Sequence, residues 1–221
     1  MSVSFGLISD IHANYFALKE VLLELHQKGI FEIYCLGDIV GYGSQVNLVC
    51  ELLRENSVIS IQGNHDFYLV SGEKCERSSY VNTVIDKQRK IISKDNLEWL
   101  ASLDSEMNRH NIRMVHGGWN DYLEEYMVPS EEYFEDLEFG SYASGHTHKP
   151  LIWEGENHKY CNPGSVGQPR DGDSRASFAI FSEEKFNLHK VPYDLSKFLN
   201  QLQNDGYSVP RYQSMFLGKG I

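Results

Sequence analysis

The chain has 221 residues, of which 41% are hydrophobic and 23% charged, as expected for one globular domain with a sizeable core. A formal net charge of −11 argues against extended DNA or RNA binding, but not against a small phosphate ester. No apolar run is long enough to cross a bilayer, and the first residues lack the basic and apolar regions of a signal peptide. We therefore expect a single domain over 1–221 that does not associate with a membrane.

Short apolar runs of strand length recur in the first two thirds of the chain, and each leads abruptly into a polar cluster. These runs lie at 5–9, 32–36, 58–62, 112–115 and 142–144. Helical patterns separate the first three runs. Asn14 is placed to cap a helix that ends at Gly29, and a second helix is predicted over 46–54. Alternating strands and helices predict an α/β layered fold with parallel strands.

The remaining segments predict further helices and then a run of strands joined by turns. The mostly polar stretch 66–103 is predicted to be helical, and a short helix is predicted over 131–137. After Pro150 the pattern changes to strands joined by turns, at 151–154, 159–161, 176–181 and 186–191. These four strands predict a second, more antiparallel sheet, and a last helix is expected over 196–202. We find no internal repeat or linker, so two packed sheets are expected within one domain.

The polar clusters follow the predicted strands at their carboxyl ends, where open α/β sheets bind ligands. They supply eight side chains able to bind metal or take part in catalysis: Asp10, His12, Asp38, Asn64, His65, His116, His146 and His148. Any one of them alone is an ordinary turn residue, but five such clusters together indicate a metal site. Imidazole mixed with carboxylate suits Mn, Fe, Ni, Co or Zn, and the number of ligands indicates two ions.

The four cysteines are Cys35, Cys50, Cys75 and Cys161, and they form no CxxC pair. This scatter is typical of buried, reduced thiols rather than of a disulfide framework or a zinc knuckle. We therefore expect a cytoplasmic protein.

Five motifs, taken in order, resemble those of the calcineurin-like metallophosphoesterase superfamily: Asp10-x-His12, Gly37-Asp38, Gly63-Asn64-His65-Asp66, His116 and Gly145-His146-x-His148. The segments 9–14, 37–43 and 162–171 resemble its small bacterial and archaeal phosphodiesterase branch. The resemblance extends from residue 9 to about residue 171. It implies a four-layer αββα sandwich with two mixed β-sheets.

The resemblance also implies a role for each motif residue. Three residues would hold a first metal ion: Asp10, His12 and His148. Three others would hold a second: Asn64, His116 and His146. Asp38 would bridge the two ions, since a carboxylate offers two oxygens. His65 would be the catalytic histidine, and manganese is the expected metal, with Fe, Ni, Co and Zn as alternatives. A hydroxide bridging the ions would attack phosphorus, while protonated His65 would stabilise the charge or protonate the leaving alcohol.

Several neighbouring residues are candidates for lesser roles. Arg170 is a candidate phosphate contact because a guanidinium suits phosphate, with an ion pair to Asp171 or Asp173 as the alternative. Tyr42 and Asn64 are further candidate substrate contacts. Asp66 could orient the His65 ring, a hypothesis based only on adjacency in sequence.

The expected function is hydrolysis of a small phosphate ester, foremost a phosphodiester. Alternatives within the class are a phosphomonoesterase, a protein phosphatase or a dinucleoside polyphosphate hydrolase. Protein-phosphatase relatives carry Asp-Arg-Gly where this chain has Gly41-Tyr42-Gly43, which argues against phosphoprotein substrates. A further alternative is a non-catalytic protein-binding scaffold, such as the retromer subunit of this superfamily, but that subunit has lost the catalytic histidine. The oligomeric state is left open.

Overall fold

A computed structural model describes residues 3–209. Its strands are β1 (Phe5–Ile8), β2 (Ile33–Cys35), β3 (Ile59–Ser60), β4 (Glu106–Arg109), β5 (Ile112–Val115), β6 (Gly140–Ala143), β7 (Leu151–Glu154), β8 (His158–Asn162), β9 (Ala176–Ser182) and β10 (Lys185–Val191). Its helices are α1 (Tyr15–Gln27), α2 (Val46–Glu55), α3 (Asn64–Ser71), α4 (Ser79–Ile91), α5 (Lys94–Ala101), α6 (Glu131–Phe134) and α7 (Leu195–Asn204). Residues 210–221, which the single-domain prediction includes, lie outside the described residues.

The first sheet has the strand order β10-β9-β1-β2-β3. Its three β-α units run parallel, with Leu7 opposite Tyr34 and Tyr34 opposite Ile59. β9 then adds antiparallel to β1, with Ala179 opposite Leu7. The parallel strands agree with the strand–helix alternation of the sequence, because a parallel pair requires a crossover, here α1 and α2.

The second sheet has the order β4-β5-β6-β8-β7, with parallel β5-β6-β8 and antiparallel edge strands. The prediction that the strands after Pro150 form one sheet of their own is wrong. β7 and β8 join β6, whereas β9 and β10 join β1. The connecting loop crosses between the sheets, where Val166 N–H donates to Ser9 O at 2.9 Å. β4 was missed because its residues are exposed or only partly buried and lack an apolar alternation.

Successive side chains of a strand point to opposite faces of its sheet, and this divides the hydrophobic core into layers. Leu7 and Tyr34 face a cluster between the two sheets, whereas Ile8 and Cys35 face a larger cluster beneath the helices. Except for the short α6, every helix contributes buried side chains to that larger cluster. The outer face of the second sheet is covered by a small cluster built around Phe134 of α6. The molecule is therefore the expected two-sheet sandwich with helices, and its fourth layer is thin.

Local signals predicted several helices well. The Asn14 side chain accepts a hydrogen bond from Ala17 N–H at 3.1 Å and so caps α1, as predicted. The polar stretch 66–103 contains most of three helices, while α6 is shorter than predicted. The longest helices have 13 residues, and within residues 3–209 none has the length and apolarity that a membrane span requires.

Candidate metal centre and active site

The carboxyl ends of five strands, β1 to β3 of one sheet and β5 and β6 of the other, lie together at one edge of the sandwich. His116 joins the sheets there, because its Nδ1 lies 2.8 Å from Leu36 O, and Gly145 N–H donates to His116 O at 2.9 Å. The loops after these strands bring together the seven predicted ligands, all at most 4% exposed: Asp10, His12, Asp38, Asn64, His116, His146 and His148.

A first group of ligand atoms comes from Asp10, His12, Asp38 and His148, all within 4.8 Å of one another. His148 Nε2 lies 3.1 Å from His12 Nε2 and 3.3 Å from Asp10 Oδ1. His12 Nε2 lies 3.6 Å from Asp38 Oδ2 and 4.0 Å from Asp10 Oδ1. Two carboxylates and two imidazoles therefore converge on one point.

A second group comes from Asp38, His116 and His146, and Asn64 adds to it. His116 Nε2 lies 3.5 Å from Asp38 Oδ2, 3.2 Å from His146 Nδ1 and 3.1 Å from Asn64 Oδ1. Asp38 thus faces both groups through the same oxygen, Oδ2. Its Oδ1 accepts a hydrogen bond from His65 N–H at 2.9 Å. Both groups can therefore share this carboxylate through Oδ2 alone. Oδ1 does not serve one group while Oδ2 serves the other.

These spacings fit divalent cations. With metal–ligand bonds of about 2.1 Å, ligand atoms at right angles lie about 3.0 Å apart and opposite ones about 4.2 Å. The separations of 3.1 to 4.0 Å fall within that range. Both carboxylate oxygens of Asp10 are buried and have no hydrogen-bond partner among the described residues. An isolated buried carboxylate is strongly disfavoured unless a cation balances it, so the groups are suited to metal ions.

Hydrogen bonds to backbone carbonyls orient three of the imidazoles. Nδ1 of His12 lies 2.9 Å from Val40 O, and Nδ1 of His148 lies 2.6 Å from Gln168 O. Together with the His116 bond to Leu36 O, these contacts place the proton on Nδ1 and leave Nε2 for the ligand groups. The His146 ring has the opposite orientation, with Nδ1 rather than Nε2 facing the second ligand group.

The backbone of the site is unusual. Five of the seven predicted ligands have positive φ: Asp10 at 55°, His12 at 48°, Asp38 at 54°, His146 at 62° and His148 at 59°. Left-handed backbone is unfavourable for side chains with a Cβ and persists where the surroundings enforce it. The sharp turns after the strands thus direct these side chains inward, at a free-energy cost that the rest of the fold must offset.

The charges at the site perturb one another. Burial, reinforced by Asp38, raises the pKa of Asp10 to about 7. Burial acts to lower the pKa of His116, but Asp38 beside it dominates and raises that pKa to about 9. The opposite holds for Asp38, whose pKa is well below its usual range because His116 and His65 outweigh its burial. In the metal-free protein, Asp38 and His116 therefore form a buried ion pair.

His65, the predicted catalytic residue, lies at the junction of the two groups, with Nε2 3.9 Å from Asp38 Oδ2. Burial lowers the pKa of His65 to about 4, so its ring is neutral near pH 7. Its other nitrogen, Nδ1, faces the backbone of Gly41, where an added Cβ would lie only 2.1 Å away. Gly41 therefore defines how closely the ring can approach the preceding loop.

Asp66 does not orient the His65 ring, contrary to the hypothesis based on adjacency in sequence. Its carboxylate accepts three backbone hydrogen bonds, from Gly63 N–H at 2.9 Å, Val40 N–H at 3.0 Å and Ile39 N–H at 3.2 Å. Asp66 thereby holds together the loop that follows Asp38 and the start of α3. The sequence offered no signal for this role beyond an acidic residue in the first turn of a helix.

Glu124 is a contributor that sequence reasoning missed. Its Oε1 accepts a hydrogen bond from Asn64 Nδ2 at 3.1 Å, which turns the amide so that Oδ1 faces the second ligand group. Tyr68 and Arg77 also contact this carboxylate. Glu124 comes from the loop after β5, where an isolated glutamate in a polar segment carries no pattern that predicts the contact.

A cavity of about 830 Å³ opens beside the ligand groups and is lined by the predicted residues Tyr42 and Arg170, among others. The Tyr42 ring packs against His12 and His65, with ring centres 4.6 and 4.8 Å away. Arg170 Nη2 lies 3.3 Å from the Tyr42 hydroxyl and donates to Gln168 Oε1 at 3.0 Å. A guanidinium is thus held at the wall of the cavity.

The alternative prediction for Arg170 was an ion pair with Asp171 or Asp173. In the described part of the chain, those carboxylates pair instead with Lys190 and Arg175. Arg170 is therefore left facing the cavity rather than the acidic loop.

Comparison with known proteins places the chain in a family. The family sequence model of the calcineurin-like phosphoesterase superfamily domain matches residues 3–185. An uncharacterized protein of Methanocaldococcus jannaschii is 35% identical, and the alignment covers 97% of this chain and 98% of the relative. A metallophosphoesterase of Sphaerobacter thermophilus has a similar structure, with a TM-score of 0.86, 27% identity and full coverage of both chains.

A hypothetical protein of Pyrococcus horikoshii is 19% identical and has the same fold, with a TM-score of 0.87 over 97% of this chain and 98% of that one. The family model spans most of the described residues, and the relative from M. jannaschii aligns over nearly the whole chain. The chain therefore belongs to the calcineurin-like phosphoesterase superfamily and is a metal-dependent hydrolase of phosphate esters.

Proposed function

We propose that the chain hydrolyses a small phosphodiester with the help of two divalent cations, one in each ligand group. The observation that carries this proposal is the pair of buried ligand groups that share Asp38. The oxygen that faces both groups has two lone pairs and can serve two ions. Manganese is the expected metal, with Fe, Ni, Co and Zn as alternatives, because imidazole and carboxylate ligands are mixed.

Each residue has a proposed part in this reaction. The first ion would be held by Asp10, His12 and His148, and the second by Asn64, His116 and His146. Bound cations would lower the pKa of a water molecule toward 7 and neutralise charge on the phosphate. In the hydrolysis, the water oxygen bonds to phosphorus, the bond to the leaving oxygen breaks, and a proton passes to the leaving oxygen.

His65 is the proposed donor of that proton. Its pKa of about 4 in the free protein means that the ring is neutral before substrate binds. A phosphate anion beside the ring would favour the charged form, whereas the bound cations would oppose it, so the ring would take up a proton only with the phosphate in place. This role is supported by the position of the ring at the junction of the ligand groups, so Nε2 would lie near the leaving oxygen of a phosphate bound at the shared carboxylate.

Arg170 and Tyr42 are proposed to contact the phosphate from the cavity side. The guanidinium of Arg170 has more donors than its two observed contacts use, and such donors suit a phosphate. Asn64 would add its amide from the side of the second ion. These roles depend on substrate being bound at the shared carboxylate.

Other functions within the class are less well supported. Gly41-Tyr42-Gly43 replaces the Asp-Arg-Gly of protein phosphatases, and this loop packs directly on His65. A phosphomonoesterase or a dinucleoside polyphosphate hydrolase would use the same ligand groups, so substrate comparison must separate them. The scaffold alternative is opposed by the presence of His65 and of every predicted ligand. The net charge of −11 and the four buried, unpaired cysteines support a cytoplasmic protein acting on small substrates.

The test uses metal-stripped protein supplied with Mn, Ni, Co, Zn or Mg in turn. Hydrolysis of bis(p-nitrophenyl) phosphate is compared with that of p-nitrophenyl phosphate, and bound metal is counted by elemental analysis. We expect faster diester turnover, two ions per chain, and loss of activity without loss of metal in His65→Ala. One ion per chain would refute the dinuclear centre, and faster monoester turnover would refute the diesterase. Full activity in His65→Ala would refute the role of His65.

A further inference from the structure

The cavity beside the ligand groups has an apolar wall on one side. Eleven large hydrophobic residues are exposed among those described, and three of them line this one cavity: Tyr126, Val128 and Leu151. They are 53%, 75% and 43% exposed. We call these three residues the apolar wall. Exposed apolar groups gathered in a cavity next to polar catalytic groups are typical of a ligand-binding site.

The apolar wall lies directly beside the second ligand group. The Tyr126 ring centre is 4.3 Å from that of His146, a predicted ligand of the second ion. A group attached directly to a phosphate at the ligand groups would therefore reach this ring without a spacer. The Arg77 guanidinium lies 5.1 Å from the Tyr126 ring centre and is itself held by Glu124, which helps to fix the ring.

The exposure of the apolar wall does not come from a loosely attached loop. Met127, between two of its members, is 4% exposed and packs in the small cluster around Phe134. Met127 therefore anchors this segment, while its neighbours Tyr126 and Val128 remain exposed at the cavity. The third member, Leu151, starts β7, a strand of the second sheet.

We infer that the apolar wall binds an aromatic ester group of the substrate, namely the group retained on phosphorus after hydrolysis. This inference rests on the proposed phosphodiesterase function. His65, the proposed donor to the leaving oxygen, lies at the junction of the two groups, and its ring packs against His12 of the first group and against Tyr42. Tyr126 of the apolar wall packs instead against His146 of the second group, so the ester group that faces Tyr126 is the one that stays.

The test compares two diesters with the same leaving group, bis(p-nitrophenyl) phosphate and p-nitrophenyl methyl phosphate. Only the retained group differs, aryl in one and methyl in the other. The ratio of their kcat/KM values is measured for wild type, Tyr126→Ala and Tyr126→Phe. The intrinsic reactivity of each ester is the same for all variants, so a change in the ratio reports recognition of the retained group. Phe139→Ala is the matched control, an aromatic residue that is 76% exposed and outside the cavity lining.

We expect Tyr126→Ala to lower the aryl-to-methyl ratio about tenfold, the scale of losing an apolar contact in a binding pocket. Tyr126→Phe and Phe139→Ala should keep the ratio of wild type. A ratio that Tyr126→Ala leaves within twofold of wild type, in protein that still hydrolyses both diesters, would refute the subsite and leave the proposed function standing.

A binding measurement decides the same question without turnover. Calorimetry with Mn-loaded protein compares phenylphosphonate with methylphosphonate, and we expect tighter phenyl binding that Tyr126→Ala abolishes. If neither diester is hydrolysed, the proposed function fails, and this preference alone supports or refutes the subsite. Equal binding of the two phosphonates refutes it. A wild-type dimer that Tyr126→Ala converts to a monomer, seen by light scattering, would show instead that the apolar wall contacts a second copy.

Discussion

Replacing Gly41 with Ala gives a sharp test of how the site is built. Gly41 has φ of +90°, a region that disfavours side chains, and its Cβ would lie 2.1 Å from His65 Nδ1. Gly29 offers a matched control, because it has φ of +76° and nothing within 4 Å of an added Cβ. Both substitutions impose a similar backbone penalty, but only Gly41→Ala pushes on the catalytic ring.

The magnitudes follow from these two geometries. An alanine in left-handed backbone costs about 1–2 kcal/mol, partly offset by the smaller entropy of the unfolded chain. Gly29→Ala should therefore lower the free energy of unfolding by about 1 kcal/mol, or Tm by roughly 2–4 °C for a chain of this length. Gly41→Ala should lower it further, because its Cβ also overpacks against the buried His65 ring. Carbon and nitrogen atoms cannot approach much closer than about 3.5 Å, so His65 must move by more than 1 Å. A displacement of about 1 Å can lower activity on the order of 100-fold.

The assay measures kcat/KM for bis(p-nitrophenyl) phosphate with saturating Mn, together with bound metal and Tm. We expect Gly41→Ala to lose about 100-fold in kcat/KM while Gly29→Ala keeps wild-type activity. Adding His65→Ala to Gly41→Ala should cause little further loss, because the effect acts through that ring. If Gly41→Ala stays within threefold of Gly29→Ala while His65→Ala is inactive, the position of the ring is not set by this contact and the reasoning is refuted.

Four further predictions concern supporting residues and protons. Glu124→Ala should weaken binding of the second Mn by about tenfold in calorimetry, because Asn64 loses the bond that turns its amide; an unchanged isotherm would contradict this. Asp66→Ala should lower Tm by about 6 °C or more, because three backbone donors lose their acceptor; a shift under 2 °C would show that water replaces it. Burial lowers the pKa of four imidazoles, those of His12, His65, His146 and His148, so below about pH 6.5 the unfolded chain holds more protons than the metal-free fold. The raised pKa values of about 7 for Asp10 and about 9 for His116 reverse this balance at higher pH. Stability of the metal-free protein should therefore rise from about pH 4 to 6.5 and fall from about pH 7 to 9, as measured by Tm against pH. The Tm gain from added Mn should be larger at pH 8 than at pH 6, because protons compete with metal; an equal gain would argue against these groups as ligands.

Local sequence features, namely short apolar runs and a helix-capping residue, were sufficient to predict much of the fold. Strands such as β1 and β2 are short apolar runs that end in polar turns, and the capping residue Asn14 marks the start of α1. These features depend on neighbours in sequence, so periodicity and capping chemistry reveal them. The allocation of β7 to β10 between the two sheets was mispredicted, because strand pairing over long sequence distances leaves no trace in local composition.

The sequence by itself determined which side chains form the candidate metal centre, because each predicted ligand follows the carboxyl end of an apolar strand. Only the tertiary structure decided how they meet. It showed that one oxygen of Asp38 faces both groups, that Asp66 binds backbone N–H groups rather than His65, and that Glu124 turns the Asn64 amide. Those contacts join residues 26 to 78 positions apart. They depend on the packing of whole sheets and loops, which no local pattern of amino acids encodes.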